Sequence, residues 1–134
     1  MTKLVLRVMR HPIEGDREAV LRGVFGDDLR IVTEDVMYGD DPVVAVLGVA
    51  ARHCAADEQL VAVEAVGPEP KLIALAEGLA EKGIVLIRQV FRRGEDGRII
   101  EIGRDASNRA IFAFDHYEVV GVEVRKSLVA RPLV

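Results

Sequence analysis

The hydrophobic positions of this chain change their period several times, and they do so in a repeating order. Residues 3–9 form a short, branched, apolar run that predicts a buried strand. Residues 14–25 place apolar side chains on one face of a helix and charged side chains, Arg17 among them, on the other. The alternation then continues to residue 92. The further predicted strands cover 29–37, 60–66 and 84–92, and the further predicted helices cover 42–55 and 70–82.

This order of segments predicts a fold class. A β-α-β-α-β-α-β succession favours right-handed crossovers between parallel strands. We therefore predict an α/β fold with a Rossmann-like, mostly parallel sheet. Because ligands of such sheets bind beyond the carboxyl ends of the strands, the order also predicts where a functional site lies.

The pattern changes after residue 93. A Glu-Asp-Gly triplet at 95–97 is typical of a hairpin turn and leads into a predicted strand at 98–103. A second turn precedes a strand from 110 to about 120, and residues 122–125 either extend that strand or form another. This antiparallel extension either widens the sheet or projects as an arm that pairs with another subunit. We expect one domain, with a parallel core at 1–93, the antiparallel extension at 94–125 and a tail at 126–134.

The predicted helix at 42–55 is unusual because it is apolar almost all the way round until Arg52. Asp41 is a good N-cap for this helix, and Pro42 is a good first helical residue. A helix without a polar face is buried on several sides. We therefore predict a homo-oligomer, such as a homodimer, that forms through helix 42–55 or through the strand at 110–120.

Composition and charge narrow the class of protein. The chain has 134 residues, half of them hydrophobic, and a formal net charge of −4 at pH 7, which gives no general attraction to nucleic acid or anionic lipid. Its one cysteine, Cys54, excludes a disulfide within the chain and argues against a thiolate zinc site. No segment approaches the ~20 apolar residues of a membrane span, and arginines interrupt the first apolar run before it resembles a secretion signal. We expect a cytoplasmic protein without a membrane segment, a metal site or a bound cofactor.

The first candidate for site chemistry is His11, which follows the first predicted strand. A histidine titrates near neutral pH, so His11 is a candidate general acid or base, or a phosphate contact. The alternative is that His11 caps the next helix or hydrogen-bonds to a turn, since no partner is fixed by its spacing.

The second candidate is the loop after the second predicted strand. Asp41 is accounted for as an N-cap, whereas Tyr38 and Asp40 are free to face a ligand. Gly39 lets the backbone approach a ligand closely. The loop offers too few oxygen ligands to hold a hard metal cation by itself.

The arginines are the third candidate. Arg7 and Arg88 lie in or beside strands that otherwise consist of apolar residues, where an unpaired charge is costly, so each requires an acidic partner or a bound anion. Arg10 follows the first of those strands, and Arg92 lies at the end of the fourth. If the two strands approach each other, these guanidinium groups form a pocket for phosphate or carboxylate. Alternatively, Arg92 is a solvated hairpin residue balanced by neighbouring acids.

Three hypotheses for function remain. The sequence contains no Gly-x-Gly-x-x-Gly, P-loop or Gly-x-Ser-x-Gly motif. The first hypothesis is a small homo-oligomeric binding module for a nucleotide-like or other anionic ligand, with a sensory or regulatory role. The second is a metal-independent phosphodiesterase-like or nuclease-like enzyme that uses His11 and arginines. The third is a structural subunit of a complex without a small ligand. The sequence leaves open whether the protein is an enzyme.

Overall fold

Four strands alternate with three helices in the first two thirds of the chain, as the hydrophobic pattern predicts. The computed structural model describes residues 2–122 and 127–134. Every predicted element of the parallel core is present, with bounds that differ by at most a few residues. The elements are β1 (Thr2–Val8), α1 (Gly15–Phe25), β2 (Arg30–Glu34), α2 (Pro42–His53), β3 (Glu58–Ala65), α3 (Glu69–Ala80) and β4 (Val85–Phe91).

A first difference from the prediction in the antiparallel part lies at Ala113. The strand predicted from 110 to about 120 is two strands that break at Ala113, because the chain changes partner there. The first of them pairs with the preceding strand of the extension, and the second pairs with β4. The strands of this part are β5 (Glu101–Arg104), β6 (Ala110–Phe112), β7 (Phe114–Val122) and β8 (Leu128–Pro132).

The segment predicted as a tail, 126–134, contains the strand β8, which pairs antiparallel with β7. The reason is that its apolar residues have a core to bury in: Leu128 packs against one face of the sheet and Leu133 against the other. Of the segment 122–125, predicted to extend the strand or to form another, the structure describes only Val122, the last residue of β7. The rest of that segment lies outside the described residues.

The strands form a six-stranded mixed sheet in the order β2-β1-β3-β4-β7-β8, and β5 and β6 form a separate two-stranded sheet. The four strands of the core are parallel to their neighbours, and β7 and β8 are antiparallel. The fold is therefore α/β, with a mostly parallel sheet that the last two strands widen.

Helices cover both faces of the large sheet. Buried side chains of α2 and α3, such as Val46 and Leu75, pack with Leu6 on one face, and Leu21 of α1 packs with Val5 on the other. The two faces follow from the strand order, because the chain moves outward from β1 to β2 and then crosses back to β3. Crossovers of one hand in opposite directions place their helices on opposite faces. The order thus reverses between β1 and β3, which is where ligands bind in open α/β sheets.

Helix α2 begins as predicted and leaves part of its apolar surface exposed. The Asp41 carboxylate accepts a hydrogen bond from the Val44 backbone N–H at 3.2 Å, and Pro42 occupies the first turn. Val46 and Val49 are buried, whereas Val44 is 67% exposed. In the described ranges, no helix is both long enough and apolar enough to cross a bilayer. Oligomerisation through α2 stays a prediction.

The packing of α2 on α3 generates the first testable prediction. A Cβ added at Gly78 would lie 2.5 Å from Cγ2 of Val43, a stiff β-branched side chain. We expect Gly78→Ala to lower the free energy of unfolding by about 1–3 kcal/mol in urea denaturation, because the helices must separate.

The matched control is Gly48→Ala, since a Cβ added at Gly48 in α2 meets no atom within 4 Å. We expect this variant to gain about 0.5–1 kcal/mol, because alanine is the better helix former. Equal stabilisation by both substitutions would contradict the close approach at Gly78.

Candidate functional site

A row of polar side chains crosses the sheet near the carboxyl ends of its parallel strands, on the face that carries α1. Arg7 of β1 lies directly opposite Thr33 of β2 and Glu64 of β3, and Gln89 of β4 lies opposite Tyr117 of β7. Because side chains alternate between faces along a strand, Arg7 shares its face with the buried core around Val5. We call Thr33, Arg7, Glu64, Gln89 and Tyr117 the polar row.

The centre of the polar row is a buried ion pair. Arg7 is 2% exposed and Glu64 is 1% exposed, and Arg7 Nε donates to Glu64 Oε1 at 3.0 Å. Tyr117 donates its hydroxyl to the same oxygen at 2.7 Å, and Gln89 Nε2 donates to Glu64 Oε2 at 2.7 Å. Burial, together with the neighbouring Glu64 carboxylate, raises the pKa of Tyr117 well above its usual range. The carboxylate thus accepts from three strands at once, which offsets the cost of burying it.

The other edge of the Arg7 guanidinium group is less completely satisfied. Nη1 donates to the His11 carbonyl at 2.9 Å and to Thr33 Oγ1 at 3.0 Å. Nη2 donates to Met9 Sδ at 2.9 Å. A thioether sulfur is a weak acceptor, so Nη2 is the donor of this group that gains most from an incoming oxygen.

Arg17 of α1 joins the polar row to the antiparallel extension. Its Nε donates to Gln89 Oε1 at 3.2 Å, and its Nη2 donates to the Phe112 carbonyl of β6. Its guanidinium carbon lies 5.1 Å from the centroid of the Phe114 ring. The expectation that Arg17 lies on the solvated face of its helix is wrong, because the side chain is buried against these partners. The signal was available: Arg17 lies one turn before the buried Leu21.

A second link ties the extension to the end of β1. Asp105, in the turn between β5 and β6, accepts from His11 Nδ1 at 3.1 Å through Oδ2. Its Oδ1 accepts from the backbone N–H groups of Ser107 and Arg109, each at 2.9 Å. The backbone bond from Arg109, with smaller contributions from Ser107 and His11, lowers the pKa of Asp105, so its carboxylate form is favoured. We call residues 92–113 the hairpin arm; the Asp105 carboxylate holds its tip to the body of the protein.

The second nitrogen of His11 also has a partner. Arg109 Nη1 lies 3.2 Å from His11 Nε2. An arginine can only donate, so this arrangement fits a neutral imidazole with its hydrogen on Nδ1, donating to Asp105. His11 is 43% exposed and therefore lies at an opening to solvent.

The polar row and the hairpin arm enclose a cavity of about 250 Å³ at the carboxyl ends of β1, β3 and β4. We call it the strand-end cavity. Its walls contain arginine and carboxylate groups and a larger number of apolar side chains. The lining residues are Arg7, Met9, His11, Pro12, Glu14, Arg17, Glu64, Val66, Gln89, Phe91, Asp105, Ala110, Ile111 and Phe112.

Of the candidates from the sequence, the structure brings Arg7 and His11 together in this cavity. The expectation that Arg7 and Arg88 have acidic partners is met by Glu64 and by Glu118, which lies opposite Arg88 on β7. Arg88 neighbours Gln89 along the strand, so it points to the other face of the sheet.

The remaining candidates lie outside the strand-end cavity. Arg10 is exposed and forms an ion pair with Asp35 at 2.9 Å, and Arg92 lies 3.8 Å from Asp115. Tyr38 donates its hydroxyl to the Val66 carbonyl at 2.8 Å and packs with the core on the α2 and α3 face. The Gly39 carbonyl accepts from the Lys71 amine, and Asp40 is exposed beside them. Ligand binding by these residues stays a prediction.

Burial raises the pKa of Tyr38, and the nearby Asp35 carboxylate adds to the shift. Its hydroxyl therefore stays protonated and serves to hold the loop to the end of β3. This contact is a structural role that accounts for Tyr38 without a ligand.

Comparison of the chain with protein families, with curated proteins and with solved structures gives no match. Within residues 2–122 and 127–134, no group of three or more His, Cys, Asp or Glu side chains is arranged to hold a metal ion.

The buried ion pair generates the second testable prediction. We expect Arg7→Met to lower the free energy of unfolding by about 3–5 kcal/mol, because Glu64 is left buried without its cation. Adding Glu64→Gln should restore part of that loss, since the neutral amide removes the unpaired buried charge and its single oxygen still accepts from Tyr117. Urea denaturation at 25 °C measures both variants. A double variant that is as unstable as Arg7→Met would show that the pair is not the source of the loss.

Proposed function

We propose that this protein is a small α/β binding module that holds a small organic anion in the strand-end cavity. The observation that carries the proposal is the Nη2 edge of Arg7, a guanidinium nitrogen in the cavity wall that donates to the Met9 sulfur. An anionic oxygen is a far better acceptor for a guanidinium group than a thioether. A sensory or regulatory role fits a module of this kind, and is part of the proposal.

The position of the cavity supports the same function. It lies at the carboxyl ends of β1 and β3, between which the strand order reverses, and ligands of Rossmann-like sheets bind at such points. The hydrogen bonds of Arg7 to Glu64 and to the His11 carbonyl also support ligand binding, because a guanidinium group held by several partners is already oriented for its ligand.

The size of the cavity limits the ligand. Its volume of about 250 Å³ lies below the ~300–1,000 Å³ of sites for drug-sized ligands. A nucleotide-like ligand would place one group at Arg7 and extend past His11 into solvent. A compact acid would fit inside.

A second candidate function is supported by the contact between His11 and Asp105. A carboxylate that accepts from Nδ1 orients an imidazole so that Nε2 can accept a proton, as in the acid–base pairs of many enzymes. In a phosphodiesterase-like enzyme, His11 would be the acid or base and Arg109, 3.2 Å from Nε2, would contact the phosphate. In this structure, Arg109 occupies the lone pair of Nε2, which is why we favour the binding module.

The homo-oligomer is also part of the proposal. The apolar composition of α2, together with the exposed Val44, supports a contact through that helix. Native mass spectrometry of the purified chain reports the oligomeric state directly.

The third testable prediction concerns ligand binding. We expect acetate, benzoate, inorganic phosphate or AMP, compared at constant ionic strength and pH 7, to raise the melting temperature by mass action. A ligand at 100 times its Kd adds about 2.7 kcal/mol of stability, which corresponds to several degrees. The variant Arg7→Met with Glu64→Gln should lose the response.

Arg92→Met is the matched control, because it removes an exposed guanidinium group outside the cavity. It should respond like the wild type. If no anion raises the melting temperature, or if the cavity variant responds as strongly as the control, the proposed function is wrong. Hydrolysis of bis(4-nitrophenyl) phosphate that His11→Gln abolishes would favour the enzyme instead.

A further inference from the structure

We infer that the ligand of the strand-end cavity is a monocarboxylic acid whose body is a single aromatic ring or an apolar group of similar size. The inference rests on the proposed function, because it assumes that an anion binds at Arg7. It adds the charge, the size and the chemical nature of that anion.

The charges that line the cavity oppose more than one negative charge on the ligand. Two guanidinium groups line it, those of Arg7 and Arg17, against three carboxylates, those of Glu14, Glu64 and Asp105. Glu64 and Asp105 are each satisfied by several donors, but their charges remain close to any ligand. A second negative charge would therefore meet repulsion from these carboxylates, and the further cation beside the cavity, Arg109, is not among its lining residues. This favours a carboxylate over a phosphate dianion.

The walls select an apolar body. Phe91 and Phe112 line the cavity with their ring centroids 5.5 Å apart and their planes tilted by 59°. Ile111 and Met9 add aliphatic surface. Tilted aromatic rings pack well against a third ring, which can approach one edge-on and the other by its face. A sugar or a polyol would leave its hydroxyl groups without partners along these walls.

The volume selects the size. An apolar cavity of about 150 Å³ can hold benzene. The strand-end cavity has a volume of about 250 Å³, so it has room for a ring together with a carboxylate and a short linker. Benzoate and phenylacetate are acids of this size. A purine nucleotide is larger than the enclosed space.

The place of the carboxylate follows from Arg7. Met9 has a flexible side chain, so its sulfur can move away from Nη2 and let a carboxylate oxygen replace it. Met9 then remains available as a wall for the ring, since sulfur contacts aromatic rings favourably. Phe112 keeps its carbonyl bond to Arg17 in this arrangement, so the hairpin arm stays in place over the ligand.

The fourth testable prediction compares ligands of matched shape by isothermal titration calorimetry. We expect benzoate or phenylacetate to bind the wild-type protein at least about tenfold more tightly than acetate, because only the former bury a ring. Two compounds should bind more weakly than benzoate. Benzyl alcohol has the ring but no charge, and phenyl phosphate has the ring but is mostly a dianion.

Two variants locate the ring. Phe112→Ala should weaken benzoate at least about tenfold and leave acetate unchanged, because it removes apolar surface and keeps the backbone carbonyl. Ile102→Ala is the matched control, since Ile102 lies on the same hairpin arm but is 61% exposed and does not line the cavity.

The outcomes separate this inference from the proposed function. If acetate, phosphate or AMP binds in an Arg7-dependent manner and benzoate binds no more tightly than acetate, the ligand class is wrong and the binding function stands. If AMP or phenyl phosphate binds more tightly than benzoate, the ligand class is also wrong. If none of these compounds binds, both proposals fail.

Discussion

The buried pair of Arg7 and Glu64 is the interaction on which the rest of the structure depends. Two opposite charges lie side by side on adjacent parallel strands, at 3.0 Å, and both are buried. Neither charge tolerates burial alone, so each additional partner that the fold supplies to one also holds the other. Tyr117 and Gln89 add β7 and β4 to the pair, and Thr33 adds β2. Five strands are thereby fixed at one level, near the edge where a ligand binds.

The hairpin arm depends on the same network. Arg17 connects Gln89 to the Phe112 carbonyl, and Asp105 connects the tip of the arm to His11, whose own carbonyl accepts from Arg7. The arm therefore covers the strand-end cavity through hydrogen bonds at both its base and its tip, although β5 is exposed along its length and β6 is only partly buried. The sheet supplies the polar wall of the cavity, which the network holds in place. The hairpin arm supplies apolar side chains, such as Ile111 and Phe112, that can adjust to a ligand.

The sequence predicted the parallel core well because each of its elements has a clear hydrophobic period and a clear end, such as Asp41 and Pro42 at the start of α2. It also singled out Arg7 and His11, both of which line the strand-end cavity. It did not identify Glu64, Gln89 or Tyr117, since nothing in a linear sequence states which strands become neighbours. Glu64, however, is a charge inside an apolar strand, so, like Arg7, it requires a partner of opposite charge. The break at Ala113 depends on the pairing of β7 with β4, and the strand β8 depends on its pairing with β7. The local period of hydrophobic residues contains no information about such pairings.

The most direct test of this account is the exchange rate of the Arg7 side chain, measured from its Nε–Hε resonance by NMR at neutral pH. Arg92, which is exposed, provides the reference in the same spectrum. The account predicts that Arg7 Hε exchanges with solvent far more slowly than Arg92 Hε and shows a nuclear Overhauser contact to the ring protons of Tyr117. An Arg7 Hε that exchanges as fast as that of Arg92 would contradict the buried pair, and with it the site built on that pair.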